Sequence, residues 1–341
     1  MGTILNDTKR QAIAERLADL RAFQNLIISN DQKLIDACPY EDIRERLQNM
    51  LTDDRKNVGI IDTVIVQYGI QSEPSAATKI FIPQFEQMMS GDEFTFYQKL
   101  IHHELMKHGQ AMSGITIHKA AQVVGADIEV AIAPLNTVNF EGRAHQEQLK
   151  GMLELVGVRE MTGLEAQQGV WARVQDAVAA LSGVVGSVIT RTDDEISIRD
   201  LLLADHTKVD TLFAEILNAQ APQKRQEYFG QLYQDVKNHG LAEEEVVYPA
   251  IRPYYENTQE IYDQTDEVIQ MLDEIKLIDS ASSEFKAKVE QLRTAVRTHV
   301  DREEKDIFPQ LINNFSHEQQ KQMASDFKTA KSKLQQQITA S

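Results

Sequence analysis

Apolar residues recur at spacings of three and four along most of the chain, and runs of strict alternation are scarce, which predicts an all-α protein. The stripes place helices at roughly 7–37, 41–69, 93–124, 128–157, 195–218, 222–251, 257–279 and 283–313, with another at about 163–190. Gln71-Ser-Glu-Pro-Ser-Ala-Ala reads as a loop, and Pro249 and Pro253 as the brackets of a turn. Arg191-Thr-Asp-Asp-Glu reads as a helix start, with Thr192 or Asp193 as cap. The expected architecture is two four-helix bundles joined by a connecting helix: 1–160, a connection at 161–194, a second bundle at 195–315, and a helix or tail at 316–341.

Polar interruptions of a core-facing stripe carry the chemistry, because an unpaired buried charge costs several kcal/mol and needs a partner or a metal. In the second half, one stripe runs Ile198, Leu202, His206, Val209, Phe213, Ile216. The next runs Phe229, Leu232, Val236, His239, Glu243, Val246, and the last Phe285, Val289, Leu292, Val296, His299, Glu303, Ile307. Each interruption falls near mid-helix, so antiparallel packing brings three imidazoles and two carboxylates to one level. Such a set suits a carboxylate-bridged pair of metal ions, iron or zinc by ligand type.

The residues that carry this pattern also resemble a known family. Leu-Leu-Ala-Asp-His206, His239-Gly-Leu-Ala-Glu243-Glu-Glu-Val-Val-Tyr-Pro and His299-Val-Asp-Arg-Glu303-Glu-Lys-Asp-Ile-Phe-Pro are similar to the motifs of the hemerythrin-like (HHE cation-binding) domain, over about 195–315. The resemblance implies non-haem di-iron: His206 and His239 on one iron, His299 on the other, Glu243 and Glu303 bridging. It implies O2 or another small diatomic ligand as partner. The family usually supplies a further histidine from the third helix; here that stripe position is Thr265, with Gln264 and Asp266 pointing off the seam.

The first half shows a second, weaker cluster. Its stripes run Leu17, Leu20, Gln24, Ile27; Leu47, Leu51, Asp54, Val58, Ile61, Ile65; Tyr97, Ile101, Glu104, His108, Ala111, Ile115; and Leu135, Val138, Glu141, His145, Met152, Val156. Asp54, Glu104, His108, Glu141 and His145 are candidate metal ligands, loosely resembling a ferritin-like bundle. The ferritin-type spacing is Glu-x-x-His, whereas both pairs here are spaced by four. Two readings stand: a second metal site, or a buried polar layer that sets the register of the bundle. His102, His103 and His118 are expected at the surface or at loop ends.

Composition narrows the partners. The chain has 341 residues, 35 Lys+Arg against 52 Asp+Glu, and a formal net charge of −17. The excess is spread over both halves, −9 in 1–195 and −8 in 196–341. A surface this acidic repels phosphate backbones and anionic headgroups, so neither nucleic acid nor a membrane is expected as partner. The lone Cys38 excludes an internal disulfide, a Cys-based zinc site and a cysteine-ligated cluster, and with no apolar signal core at the N-terminus a cytoplasmic location is expected. The connecting segment carries Trp171 and small residues (Ala177, Ala179, Ala180, Gly183, Gly186) that allow close helix approach, making a homodimer one candidate assembly. Three functions are in play: an iron protein that binds or senses a small ligand, a di-iron ferroxidase or peroxide-consuming enzyme, and an iron-responsive signalling module.

Overall fold

The structure is a computed structural model that describes residues 8–165, 173, 174, 177 and 196–340. It is all-helical among those residues. The N-terminal half holds α1 (Thr8–Ala37), α2 (Glu41–Tyr68), α3 (Ala76–Ser90), α4 (Phe96–Val124), α5 (Ala126–Ile132) and α6 (Leu135–Thr162). The C-terminal half holds α7 (Ile198–Asn218), α8 (Pro222–Ile251), α9 (Thr258–Ile275), α10 (Ser283–Arg302), a π-helical turn (Glu303–Ile307), α11 (Phe308–Asn314) and α12 (His317–Ala340).

Local chemistry explains most boundaries. Thr95 and Ser197 close reciprocal capping boxes with Gln98 and Asp200, and Ser282 accepts from the Phe285 amide. Gly69 ends α2 at φ +86°, a left-handed conformation that suits glycine. Three expectations need correcting. The stretch at 128–157 is two helices, α5 and α6, because Pro134 interrupts it. Pro249 lies inside α8, so the turn begins only after Ile251. A helix also occupies 76–90, where none was expected; Ser75 caps it, and it carries Pro83. The cap at Thr192 or Asp193, the packing of Trp171 and most of the connecting helix lie outside the described residues.

Helices α1, α2, α4 and α6 pack on one another, as do α7 to α10. The N-terminal core is two apolar clusters, one around Leu26, Leu34, Leu47, Leu100 and Leu149, the other around Leu17, Ile61, Ile128 and Leu135. A polar layer lies between them. Helix α5 packs on α7, while α12 lies along α7 and α8 and reaches α2.

The seam between the halves is buried and charged. Arg10 and Asp127 form a bidentate pair at 2.7 and 2.9 Å, with 1% and 0% of their side chains exposed. Lys208 of α7 donates to the carbonyls of Gln67 and Tyr68 at 2.7 and 2.9 Å and pairs with Asp235 at 2.8 Å. Gln335 of α12 donates to the Val66 carbonyl at 3.0 Å. These bonds satisfy the C-terminal carbonyls of α2, which would otherwise be orphaned in a buried place.

Candidate metal centre

Each C-terminal stripe folds inward as its spacing requires. His206 (α7), His239 and Glu243 (α8), His299 (α10) and Glu303 (the π-helical turn) are all buried and meet between the helices. One ligand atom from each of His206, His239, Glu243 and Glu303 lies within 4.8 Å of the others. His299 Nε2 stands 3.2 Å from Glu303 Oε1, on the far side of that carboxylate. The π-helical turn, at the residue where the last helix must present a ligand, is the kind of irregularity that collects at functional sites.

The outward nitrogen of every imidazole is occupied. His239 Nδ1 bonds Asp205 Oδ2 at 2.8 Å, His206 Nδ1 lies 3.1 Å from Glu304 Oε1, and His299 Nδ1 lies 3.5 Å from Gln264 Oε1. These contacts turn each Nε2 inward, the arrangement that orients metal-ligating histidines. Asp205 is itself held by Lys331 of α12 at 2.7 Å.

The inward atoms face one another. His206 Nε2, His239 Nε2, Glu243 Oε1 and Glu303 Oε2 are buried and form no well-aligned hydrogen bond, and His206 Nε2 lies 3.3 Å from Glu303 Oε2 and His239 Nε2 3.2 Å from Glu243 Oε2. Buried polar groups with incomplete hydrogen bonding are costly. Imidazole nitrogen with carboxylate oxygen is a donor set for a first-row transition metal, so these residues fit a cation.

Electrostatics agree. Burial would push the His239 imidazolium down, but Glu243 and Asp205 outweigh it and hold it up at about 10. Burial and the adjoining Glu303 push Glu243 up. Burial acts the same way on Glu303, but His299 and His206 hold it well below its usual range.

A cavity of about 30 Å³ adjoins the site, lined by Val209, Val236, Val268, Val296 and Val300 together with Gly240. That is room for about one water-sized or diatomic molecule. Gly240 is needed there: a Cβ at this position would come within 2.7 Å of Thr265 Cγ2.

The N-terminal candidates are placed differently. Asp54 and His145 are buried together, and Gln24 Nε2 donates to Asp54 Oδ1 at 3.0 Å. Glu141 is half-buried nearby. Glu104 is half-buried and His108 exposed, bonded to Gln146 at 2.8 Å; neither joins the cluster. The inward face of α4 is one residue out of the expected register, so His103, Lys107 and Gln110 point inward. The Lys107 ammonium bonds Asp54 Oδ2 and lies 2.9 Å from His145 Nδ1, occupying the place a cation would need. His103, expected at the surface, is fully buried 2.9 Å from Asp31. His102 and His118 are half-buried. Of the two readings, this geometry supports the polar layer.

Sequence reasoning missed Asp205 and Lys331 as partners, and Tyr248 as a neighbour of the ligands. Gln264 lies off the seam as expected, yet still reaches His299.

Comparison with known proteins agrees with this geometry. Residues 197–311 match the Hemerythrin HHE cation binding domain, so the chain, all-helical among the described residues, carries such a domain in its C-terminal half. An uncharacterized hemerythrin-like protein of Schizosaccharomyces pombe is 27% identical over 139 residues, 39% of this chain and 68% of that protein. A protein of Nostoc sp. (strain PCC 7120) named DNA nickase is 52% identical over 342 residues, covering 99% of this chain and 97% of its own length. The chain belongs to the family of that Nostoc protein. No solved structure matches it. No helix among the described residues is long and apolar enough to cross a membrane.

Proposed function

We propose that the C-terminal centre holds a pair of iron ions and meets a small ligand, O2 or a related diatomic, through the valine-lined cavity. The observation that carries this reading is the convergence of four buried ligand atoms, two imidazole nitrogens and two carboxylate oxygens, within 4.8 Å of one another. By this reading His206, His239 and His299 are nitrogen ligands, and Glu243 and Glu303 span the ions. Bound iron would supply electron exchange with the small ligand. The chain's own residues do the rest: Asp205, Glu304 and Gln264 orient the rings, the carboxylates balance charge, and the apolar walls restrict water. Iron counted after anaerobic loading should reach about two per chain and fall by at least half in His239→Ala. Uptake that ignores the substitution would remove the reading. Turnover of ferrous iron or peroxide, rather than stoichiometric binding, would make the protein a ferroxidase or peroxide-consuming enzyme.

A second reading, cleavage of one strand of DNA, is favoured by the likeness to the Nostoc DNA nickase across both helical halves. Metal pairs serve phosphodiester displacement well. Against it stand the −17 net charge and a cavity too small to admit a phosphodiester. Supercoiled plasmid incubated with the protein and Mg²⁺, Mn²⁺ or Fe²⁺, with and without air, separates the two. Nicked circles that vanish in His239→Ala would assign the cleavage to this centre. Nicked circles that persist in the variant, beyond those formed by the same metal without protein, would place it elsewhere on the chain. Intact plasmid under every condition would leave the small-ligand reading.

A further inference from the structure

Thr265 stands where α9 would be expected to offer the second ion a ligand, and it does not offer one. Its hydroxyl donates to the Ile261 carbonyl of its own helix at 3.1 Å. On the second ion's side, His299 Nε2 and the carboxylates remain.

Another oxygen occupies the gap. Tyr248 of α8 is fully buried, and its hydroxyl lies 2.8 Å from Glu303 Oε1 and 3.1 Å from Glu243 Oε2. The same atom is 3.3 Å from His299 Nε2 and 3.4 Å from Thr265 Oγ1. A phenol has one proton to donate, so it can serve only one of the two carboxylates at a time, while its lone pairs are open to His299. Four polar atoms from α8, α9, α10 and the π-helical turn converging on one oxygen is the geometry of a ligand position. Packing holds the ring in that orientation, among Ile198, Val247, Ile251 and Ile261 and edge-on to Tyr262 at 5.1 Å.

We propose that Tyr248 Oη is a ligand of the second metal ion, sharing it with His299 Nε2 and the Glu243 and Glu303 carboxylates in place of a third-helix histidine. The inference rests on the metal-centre reading above. On loading, the phenolic O–H bond breaks, the proton leaves to solvent, and the oxygen lone pair forms the bond to the metal, with no change in oxidation state. A hard anionic oxygen favours the ferric over the ferrous ion. Tyrosine ligation therefore biases this centre away from reversible O2 carriage and toward holding oxidised iron.

The test is spectroscopic. The full chain is loaded anaerobically with ferrous iron, freed of excess, counted for iron, then exposed to air. The wild type should hold about two irons and, once oxidised, show a visible phenolate-to-Fe(III) band. Resonance Raman excited in that band should show tyrosine ring modes that shift when the tyrosines are ring-deuterated. Tyr248→Phe should lose the band and retain about one iron. Tyr248→His, a ligand-for-ligand exchange, should keep the iron and lose the band, which covers the case in which the phenylalanine variant fails to fold. Tyr262→Phe should keep both. An oxidised, iron-loaded wild type with no tyrosine ring modes would overturn the proposal while leaving the metal centre standing. A chain that takes up no iron would overturn both.

Discussion

Lys107→Met probes the N-terminal polar layer directly. The Lys107 and Asp54 side chains are 1% and 3% exposed and paired, with His145 Nδ1 2.9 Å from the ammonium. Removing the ammonium leaves Asp54 a buried carboxylate without its lysine, facing the Gln24 amide at 3.0 Å and His145 Nδ1 at 3.7 Å. Breaking a buried pair by deleting one partner costs about 3–5 kcal/mol, because the other charge is stranded. Replacing both partners by apolar groups of similar volume is often neutral or stabilising by about 1–4 kcal/mol. Lys107→Met should therefore lower the midpoint of thermal unfolding by about 10 °C, and Asp54→Leu/Lys107→Met should recover most of that loss. Circular dichroism of the full chain through a thermal ramp reads both. A single substitution costing under about 1 kcal/mol, or a double variant worse than the single, would refute the reasoning. So would a metal ion bound at Asp54 and His145 in the wild type.

Three further outcomes are expected. Asp205→Asn removes the charge that holds the His239 ring and should weaken metal affinity at the C-terminal centre about 10- to 100-fold, read by competition with a chelator. Glu215 is pushed up to about 7 by burial and the neighbouring Asp127, so the folded chain favours its protonated form. Stability contributed by that proton is complete below about pH 4.5 and lost as pH rises through 7. The displacement converts to about 3 kcal/mol, which solvent screening of this half-exposed group reduces to about 1. Glu215→Gln should thus stabilise at pH 8 and change little at pH 4.5, measured by urea unfolding at both. Gly69→Ala would force a Cβ into a left-handed turn and against Asp235 Oδ1 and Gln231 Nε2, and should cost about 2 kcal/mol in the same urea assay.

The C-terminal donors were legible because His239/Glu243 and His299/Glu303 each sit four apart on a helix whose other face is polar. One register satisfies both the apolar stripe and the ligand spacing. Helix α4 offered no such choice. Leu105 and Met112 are 59% and 48% exposed on its outer face, so apolar residues surround the helix and its pattern does not select one side. A slip of one residue then exchanged Glu104 and His108 for His103 and Lys107. The partners that were missed act at long range. Lys331 meets Asp205 across 126 positions, and a helical period carries no information about which helix packs beside which. Tyr248 was hidden differently: next to Pro249 it reads as the apolar exit of its helix, and only the packed structure turns its hydroxyl back toward Glu243 and Glu303.

Lys331 lies beyond the matched stretch at 197–311, yet it holds the aspartate behind His239. The unit recognised by similarity is therefore smaller than the unit that does the chemistry. A fragment trimmed to the matched residues would keep every nitrogen and oxygen donor and leave the His239 ring as the counter-charge of Asp205. Vectorial synthesis imposes the same order. All five donors leave the ribosome before this lysine does, so the nascent domain passes through an interval in which its cage has emerged but its counterweight is still inside the exit tunnel.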